Sequence, residues 1–252
     1  VVAARLPKFD AGTCRRLIGE CGVTATFLPP TALRMLKAAG ATVPGLRSVA
    51  SGGETLGAEM LDWGRRAFGL TINEFYGQTE CNMVASSAAS LFPPRPGSIG
   101  KPVPGFDVRV IDEDGQPTDG EGDIAIRRGA GSMMLGYWNR PEATAEKFRG
   151  DWLVTGDRGV IEDGYIRFVG RDDDVITSSG YRIGPSEIED CLLRHPAVAL
   201  AAVVGKPDAL RTEIVKAYVV LRPGHAASDS LATELQDHAR THCAAHSYPR
   251  EI

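Results

Sequence analysis

Short apolar runs alternate with helical segments through the first 75 residues, and this alternation limits the possible folds more than any other feature. The apolar runs at 23–28, 46–51 and 70–75 predict three strands. The segments at 31–39 and 58–68 have the apolar spacing of amphipathic helices. Strands that alternate with helices in this way favour a parallel sheet covered by helices.

The pattern changes in the middle of the chain, between about residues 97 and 170. Residues 106–112 and 122–127 alternate apolar and polar side chains around the turn Asp114-Gly115. The dipeptide Asp163-Gly164 predicts a second tight hairpin turn. We therefore predict a small antiparallel β subdomain in this stretch.

A charged spacer, Arg171-Asp172-Asp173-Asp174, precedes the last part of the chain. Beyond it, Pro185 is suited to open a helix, 197–204 and 214–221 have strand patterns, and 228–243 has a helix pattern. This order of elements predicts a small α+β domain.

The predicted fold class is α/β: part of a parallel helix-covered sheet and a small antiparallel β subdomain, followed by a small α+β carboxyl-terminal domain. Residues 1–170 would be the remainder of a large amino-terminal domain, with the parallel sheet up to about 96 and the antiparallel subdomain at 97–170. Residues 171–174 would connect it to the small domain at 175–252.

Composition excludes several classes of protein. Hydrophobic residues make up 43% of the chain and charged residues 24%, which is typical of a globular protein with a core. The net charge of −4 and the lack of a basic cluster argue against nucleic-acid binding. The longest apolar stretch, 197–204, is too short to cross a bilayer and is predicted to be a buried strand.

The cysteines and the start of the chain bear on its compartment and completeness. The five cysteines include no CxxC pair and are odd in number, which disfavours a disulfide framework or a zinc site. No signal-peptide pattern is present at the start, so a reducing cytoplasm is predicted. The first residue is Val1 rather than Met, which indicates a fragment of a longer protein.

Two glycine-bearing loops follow predicted parallel strands: Ser51-Gly52-Gly53-Glu54 and Tyr76-Gly77-Gln78-Thr79-Glu80. Ligands of open parallel sheets bind outside the carboxyl ends of the strands, so both loops should lie on one rim. The second loop offers an aromatic face, a hydroxyl and a carboxylate, which suit a purine, a phosphate or carboxylate oxygen, and a metal ion. Alternatively, Gly77 makes a simple turn and Glu80 is solvated.

Three further residues have side chains suited to a nucleotide. Asp157, in Thr155-Gly156-Asp157, follows the apolar pair Leu153-Val154, and an aspartate after a strand can accept hydrogen bonds from ribose hydroxyls. Arg171 and Arg182 are suited to phosphate. A turn or cap aspartate, and salt bridges from the arginines to 172–174, are the alternative interpretations.

These elements occur in the order and spacing of one family. The chain resembles the adenylate-forming superfamily of acyl-CoA synthetases, luciferases and adenylation domains. Residues 178–189 are most similar to the medium-chain acyl-CoA synthetases. The resemblance covers nearly the whole chain and rests on Gly52 to Glu54, Tyr76 to Glu80, 97–102 (GSIGKP), 136–138 (GYW), Thr155 to Asp157, and 170–174 leading into 179–185.

The resemblance implies a piece of an ATP-dependent acid–CoA ligase that forms an acyl-adenylate and passes the acyl group to CoA. A fatty or medium-chain acid would be its substrate, and ATP, Mg²⁺ and CoA its cofactors. An adenylation domain that loads a carrier-protein thiol is one alternative. A non-catalytic nucleotide- or CoA-binding module is another.

Residue roles follow from the same resemblance. Thr79 would contact the α-phosphate, Glu80 would hold Mg²⁺, Asp157 would bind the ribose, and Asp173 would be a hinge about which the small domain swings. Arg182 would reach the phosphates, so that Thr79, Glu80, Arg182 and the Asp173 hinge would serve catalysis. The full sets are Gly53, Glu54, Glu74, Phe75, Tyr76, Gly77, Gln78, Thr79, Asp157, Arg171 and Arg182 for ATP or AMP, and Ser179, Gly180, Tyr181 and Arg211 for CoA.

Two elements of the resembled family are not found in this sequence. One is a Ser/Thr/Gly-rich phosphate loop, which the resemblance places before the region matching Val1. The other is a catalytic lysine near the carboxyl terminus, whereas this chain has no lysine after Lys216. We therefore expect the chain to be inactive by itself. A parallel sheet that lacks strands would also expose an edge and favour self-association into an oligomer.

Overall fold

A computed structural model describes residues 8–53, 56–172, 174–244 and 246–252, together with the backbone but not the side chain of residue 182. The predicted site residues Glu54 and Asp173, and the side chain of Arg182, therefore lie outside the description. The chain divides into two compact units, each composed of several segments. The first unit contains Val1–Val108, Ile126–Leu153 and Glu162–Arg167, and the second contains Arg109–Ala125, Val154–Ile161 and Phe168–Ile252.

The first sheet belongs to the first unit and has five strands in sequence order. Strands β1 to β3 are parallel, β4 pairs antiparallel with β3, and β5 pairs antiparallel with β4. The predicted parallel sheet is therefore present, but the antiparallel strand β4 was not predicted. The elements are α1 (Ala11–Glu20), β1 (Ala25–Phe27), α2 (Pro30–Ala38), β2 (Ser48–Gly52), α3 (Ala58–Phe68), β3 (Ile72–Gln78), β4 (Asn82–Ser86) and β5 (Lys101–Pro102).

Local signals start and stop the helices of this unit. The Asp10 carboxylate accepts a hydrogen bond from the Thr13 backbone N–H and caps α1. Pro30 occupies the first turn of α2, where a missing N–H costs nothing. Gly69 ends α3 in the left-handed conformation. The apolar faces of the helices then pack on the strands in one core, which includes Leu33, Leu36, Val49, Leu61, Trp63 and Ile72.

The second sheet is formed from the middle of the chain. Its main strands occur in the order β10-β9-β7-β6, and β8 pairs with β9. Asp163 and Gly164 both have positive φ, as the predicted tight turn between β9 and β10 requires. The elements are β6 (Val108–Ile111), β7 (Gly122–Arg127), α4 (Pro141–Glu146), β8 (Phe148–Arg149), β9 (Trp152–Glu162) and β10 (Tyr165–Arg171).

The third sheet belongs to the second unit and has the order β12-β11-β14-β13. Helices α5 and α6 cover one face, and Ile188, Leu192, Val203, Val215 and Leu235 form the core between helices and sheet. None of the helices in the described ranges is long and apolar enough to span a bilayer. The elements are β11 (Ile176–Ser178), β12 (Tyr181–Ile183), α5 (Pro185–Leu193), β13 (Val198–Asp208), β14 (Thr212–Leu221) and α6 (Asp229–His242).

The apolar stretch 197–204 is a strand, but the prediction that it is buried was wrong for one of its faces. Val198 and Val203 are buried, whereas Leu200 is 51% exposed. Leu200 lies opposite Val220 on β14, and Val220 is also exposed. Successive residues of a strand point to opposite faces, and the register shift between Val198 and Leu200 places these two residues on different faces although they are two positions apart. An unbroken apolar run therefore does not ensure burial on both sides.

Strands β3 and β4 approach each other closely at Gly77. A Cβ atom at this position would overlap the backbone carbonyl of Asn82. At Gly52, on neighbouring β2, an added Cβ would lie 2.7 Å from the carbonyl oxygen of Phe75. Both glycines are therefore required by the packing of adjacent strands, and neither has a positive φ.

Replacing Gly77 with Ala should destabilise the first unit by about 1–3 kcal/mol, because the added methyl group forces the two strands apart. Gly19, inside α1, provides a matched control, since an added Cβ there meets no atom within 4 Å. Gly19→Ala should stabilise the protein by about 0.5–1 kcal/mol through its higher helix propensity. Urea unfolding of the three proteins measures both effects. Equal stability of Gly77→Ala and wild type would contradict the close approach.

Candidate functional site

The carboxyl ends of β2 and β3 form the predicted rim in the first unit. The two strands are parallel and end at Gly52 and Gln78, so Gly53 and Thr79 follow them at the same edge. Ser51, just before that edge, is 1% exposed, and its hydroxyl has no hydrogen-bond partner within the described part of the chain. A polar group bound at the rim could complete this hydroxyl's hydrogen bonding.

The second glycine-bearing segment is less of a loop than predicted. Residues 76–78 continue β3, and Gly77 and Gln78 pair with Met83 and Asn82 of β4. The reason is that β4 reverses at once and supplies hydrogen-bond partners for these residues. Only the reversal around Thr79 and Glu80 remains outside the strands, closed by the Cys81 N–H donating to the Gln78 carbonyl.

Residues 132–137, more than fifty positions further along the chain, form hydrogen bonds to this reversal. The Met134 N–H donates to the Glu80 carbonyl at 2.7 Å, and the Ser132 hydroxyl donates to the Cys81 carbonyl at 2.7 Å. The Tyr137 hydroxyl donates to Oε1 of the Glu80 carboxylate at 2.6 Å. Three hydrogen bonds thus fix both the backbone and the carboxylate of the predicted metal ligand.

The bond to Tyr137 favours the ionised form of Glu80. The hydroxyl lowers the pKa of Glu80 below its ordinary value of 4.5, so the carboxylate stays ionised to a lower pH than an unbonded glutamate would. The same bond is the main cause that raises the pKa of Tyr137 to about 12, so the phenol remains a donor. A carboxylate can accept at both oxygens, so the Tyr137 bond is compatible with a bound cation.

Glu74 and Phe75, predicted to line an adenine pocket, lie within β3. Glu74 is 7% exposed, and its carboxylate accepts a hydrogen bond from the Leu56 N–H at 3.1 Å. The Ser87 hydroxyl accepts from the Glu74 N–H at 2.7 Å. Glu74 therefore connects β3 to the segments that contain Leu56 and Ser87. Its contact with a nucleotide stays a prediction.

Asp157 lies in the second unit, buried within β9 rather than after a strand as predicted. Strand β9 spans Trp152–Glu162 and includes Gly156, whose φ of 82° interrupts the regular extended backbone of the strand. The buried Thr155 hydroxyl donates to the Ile124 carbonyl at 2.7 Å and accepts from the Asp157 N–H at 3.1 Å. Thr155 thus fixes the backbone of Asp157.

Arg171 is held near the same segment through its neighbour. Arg171 is the last residue of β10, and the Asp172 N–H donates to the Gly156 carbonyl at 2.9 Å. The backbones that carry Asp157 and Arg171 therefore run side by side. Arg182 lies in β12, where its backbone pairs with Thr177.

The predicted CoA residues lie together at the tip of a hairpin in the second unit. Ser179 and Gly180 have positive φ and form the turn between β11 and β12, two short strands that were not predicted. The Ser179 N–H donates to the Arg211 carbonyl at 2.9 Å, and Nη1 of Arg211 donates to the Ser179 hydroxyl at 3.1 Å. Tyr181 is 52% exposed beside them.

Several residues that shape these sites had no predicted role. Tyr137 belongs to the 136–138 motif on which the resemblance rests, but no local pattern predicts its bond to Glu80. His246 was not identified at all, and its ring stacks on Tyr181 with centroids 4.1 Å apart. Contacts between residues so far apart in sequence have no local signal.

Replacing Tyr137 with Phe should raise the pKa of Glu80 towards 4.5, because the hydroxyl donor is lost. In wild type the bond should stabilise the fold above pH 4.5, and this contribution is lost as pH falls through the lower folded-state pKa. It is also lost as pH rises from 10 towards the Tyr137 pKa of about 12. NMR titration of the Glu80 carboxylate and urea unfolding across pH measure these effects.

Tyr165→Phe is the control, since the Tyr165 hydroxyl donates to the Pro93 carbonyl and not to Glu80. It should leave the pKa of Glu80 unchanged. The same pKa in wild type and Tyr137→Phe would show that the bond does not form in solution.

Two protein-family models match this chain, and so do proteins of known name. A model of the AMP-binding enzyme family matches residues 1–138, and a model of the AMP-binding enzyme C-terminal domain matches residues 187–252. The mitochondrial acyl-coenzyme A synthetase ACSM3 of Mus musculus is 40% identical over 264 residues, covering 100% of this chain and 45% of that protein. The acetyl-coenzyme A synthetase of Bacillus subtilis (strain 168) is 41% identical over 245 residues, covering 93% of this chain and 43% of that protein.

A solved structure shows the same likeness in three dimensions. The anthranilate CoA ligase AuaEII, in complex with anthranoyl-AMP, matches with a TM-score of 0.86 and 31% identity, over 96% of this chain and 48% of that one. The chain thus spans about half the length of the relatives it matches. The ionised Glu80 on the rim of a parallel sheet and the family model that covers more than half of the residues agree with the resemblance, and the chain belongs to the family of AMP-binding enzymes.

Proposed function

We propose that this chain is part of an ATP-dependent acid–CoA ligase, which forms an acyl-adenylate and transfers the acyl group to CoA. The observation that carries the proposal is the Thr79-Glu80 reversal at the carboxyl edge of the parallel sheet, with its carboxylate held by a hydrogen bond from Tyr137 that also lowers its pKa. This edge is where open α/β sheets bind nucleotides. The relatives named as acyl- and acetyl-coenzyme A synthetases support the same activity.

The residues present fit a magnesium ion that is bound together with ATP. Mg²⁺ is commonly held by one or two carboxylates, with substrate phosphates and water completing the shell. Glu80 would supply one carboxylate, and no cluster of three or more metal-binding side chains occurs within the described part of the chain. When bound, the ion would neutralise negative charge on the phosphates of ATP.

The chemistry of the first half-reaction depends mainly on positioning. A carboxylate is a poor electrophile, and an adenylate gives it a good leaving group. The Thr79 side chain is exposed at the reversal and would donate its hydroxyl to a phosphate or carboxylate oxygen. Tyr76, partly buried in β3, would contact the adenine ring, and the Asp157 carboxylate would accept hydrogen bonds from the ribose hydroxyls.

The second half-reaction would use the hairpin tip around Ser179. Its backbone and side chain are both bonded to Arg211, so serine and guanidinium form one polar surface with Gly180 and Tyr181. A guanidinium is suited to a phosphate group, which favours CoA as the thiol donor. Loading of a carrier protein is the second candidate, since pantetheine is common to both thiols.

The acid would be a fatty or medium-chain carboxylic acid, in keeping with the medium-chain pattern of residues 178–189.

All five cysteines are free thiols, which supports a reducing compartment such as the predicted cytoplasm. The mouse relative, by its name, is mitochondrial.

The small domain at 175–252 would move about a hinge at 171–174.

Asp157→Ala should weaken binding of a non-hydrolysable acyl-adenylate mimic about 10- to 100-fold, the effect of losing hydrogen bonds to a charged group. Calorimetric titration of this chain with the mimic and Mg²⁺ measures the change. Asp151→Ala is the control, because Asp151 is 75% exposed and forms a surface ion pair with Arg127 at 3.9 Å. Unchanged affinity in Asp157→Ala would exclude the ribose role.

Arg211→Gln should weaken CoA binding about tenfold and leave binding of the adenylate mimic unchanged, because the guanidinium would contact a CoA phosphate. Titration with CoA, dephospho-CoA and pantetheine separates the contributions of the phosphates. Arg167→Gln is the control, since Arg167 pairs with Glu162 at 3.7 Å. If wild type binds pantetheine as tightly as CoA, the carrier-protein alternative would be favoured.

A further inference from the structure

Arg158 stands between three carboxylates in the second unit. Its Nε contacts Oε1 of Glu121 at 3.0 Å, and its Nη1 lies 3.4 Å from Oδ1 of Asp123 and 3.9 Å from Oδ1 of Asp172. The Arg158 side chain is only 17% exposed. A largely buried guanidinium with several carboxylates has a fixed orientation, because its donors form a rigid planar fork.

The three contacts are not equivalent. Glu121 and Asp123 are close to Arg158 and are 32% and 12% exposed. Asp172 is the most distant of the three and is 59% exposed. Glu121 and Asp123 therefore hold the guanidinium in position, and Asp172 is held by it.

The Asp172 contact connects two predicted nucleotide-binding residues. Arg158 directly follows Asp157 in β9, and Asp172 directly follows Arg171 at the end of β10. The Asp172 N–H also donates to the carbonyl of Gly156, the residue before Asp157. The backbone hydrogen bond at Gly156 and the ion pair at Arg158 thus join the two segments. These two contacts lie on either side of Asp157 in the sequence.

We propose that Arg158 is a positioning residue that keeps Arg171 beside Asp157 by holding the carboxylate of Asp172. Without the guanidinium, three carboxylates would face one another, and the most exposed, Asp172, would move away. The Asp172 N–H would then lose its bond to Gly156, and Arg171 would no longer be fixed. The inference rests on the proposed function in one respect, that Asp157 and Arg171 contact the nucleotide.

Hydrogen exchange of the Asp172 amide, measured by NMR or by mass spectrometry of peptides spanning 168–176, tests the positioning directly in this chain. Arg158→Gln should accelerate its exchange about threefold to fivefold, the range that a partly exposed ion pair supports. Arg158→Lys keeps the charge without the fork and should give a smaller increase. Asp172→Ala, which leaves Glu121 and Asp123 paired with Arg158, should match the change in Arg158→Gln at the neighbouring amides.

Arg167→Gln on β10 is the matched control and should leave these amides unchanged. A merely structural role would instead accelerate exchange throughout β9 and β10 in Arg158→Gln and leave Asp172→Ala like wild type. That outcome, or unchanged exchange at 171–175 in a folded Arg158→Gln protein, would overturn the proposal.

Titration with the acyl-adenylate mimic separates this proposal from the proposed function. Arg158→Gln should weaken binding of the acyl-adenylate mimic several-fold, while the affinity for CoA stays as in wild type. A wild-type chain that binds no adenosine ligand would count against the proposed function, and faster exchange at Asp172 would still support the Arg158 contact. If wild type binds the mimic and Arg158→Gln binds it equally well, the positioning role is wrong.

Discussion

The close approach of β3 and β4 at Gly77 is the constraint on which the first candidate site depends. Because no side chain fits between Gly77 and the Asn82 carbonyl, β4 can pair with β3 immediately after the reversal. Thr79 and Glu80 then occupy a turn of defined shape instead of a mobile loop. From that position the Glu80 carboxylate accepts a hydrogen bond from the Tyr137 hydroxyl at 2.6 Å. The packing of the two strands therefore sets where the carboxylate of the site lies.

A common arrangement holds the candidate residues in both units. Two of the predicted residues are held by a residue outside their own motif: Glu80 by Tyr137, and Arg211 by Asp208, whose carboxylate accepts the Arg211 N–H at 2.9 Å. Asp157 is held by Thr155, within its own motif. Polar groups must be fixed before a ligand arrives if binding is not to lose free energy in ordering them. The supporting residues are therefore as informative about function as the motifs.

The sequence predicted those parts of the fold that depend on local signals. The extent of α3 and β7 and the opening of α5 at Pro185 all follow from residues close to one another in the sequence. The hairpin β11–β12 was missed because each strand has only three residues, too few to show a period. The extension of β3 through Gln78 depends on pairing with β4, which propensity does not encode.

The candidate site was predicted by motif, but its geometry was not. The side chains of Thr79 and Glu80 were identified correctly as lying at the rim, because parallel strands end at a common edge. Asp157 was assigned to the end of a strand, whereas the Thr155 hydroxyl and the Gly156 conformation place it inside one. Its burial comes from tertiary packing, which two apolar residues before it could not indicate.

Each unit contains a titratable group whose pKa is lowered by its surroundings. Glu80 is ionised above its lowered pKa, and Tyr137 remains protonated up to about 12, so this pair keeps one charge state across neutral pH. In the second unit, burial lowers the pKa of His238, whose ring bonds the Cys191 carbonyl and so joins α6 to α5. A histidine with a lowered folded-state pKa favours the neutral form, so the fold loses stability as pH falls through 6.5 towards that lower value. Acidification should therefore begin to weaken the packing of α5 and α6 below pH 6.5, before the pH reaches 4.5, the ordinary glutamate pKa, below which Glu80 is protonated.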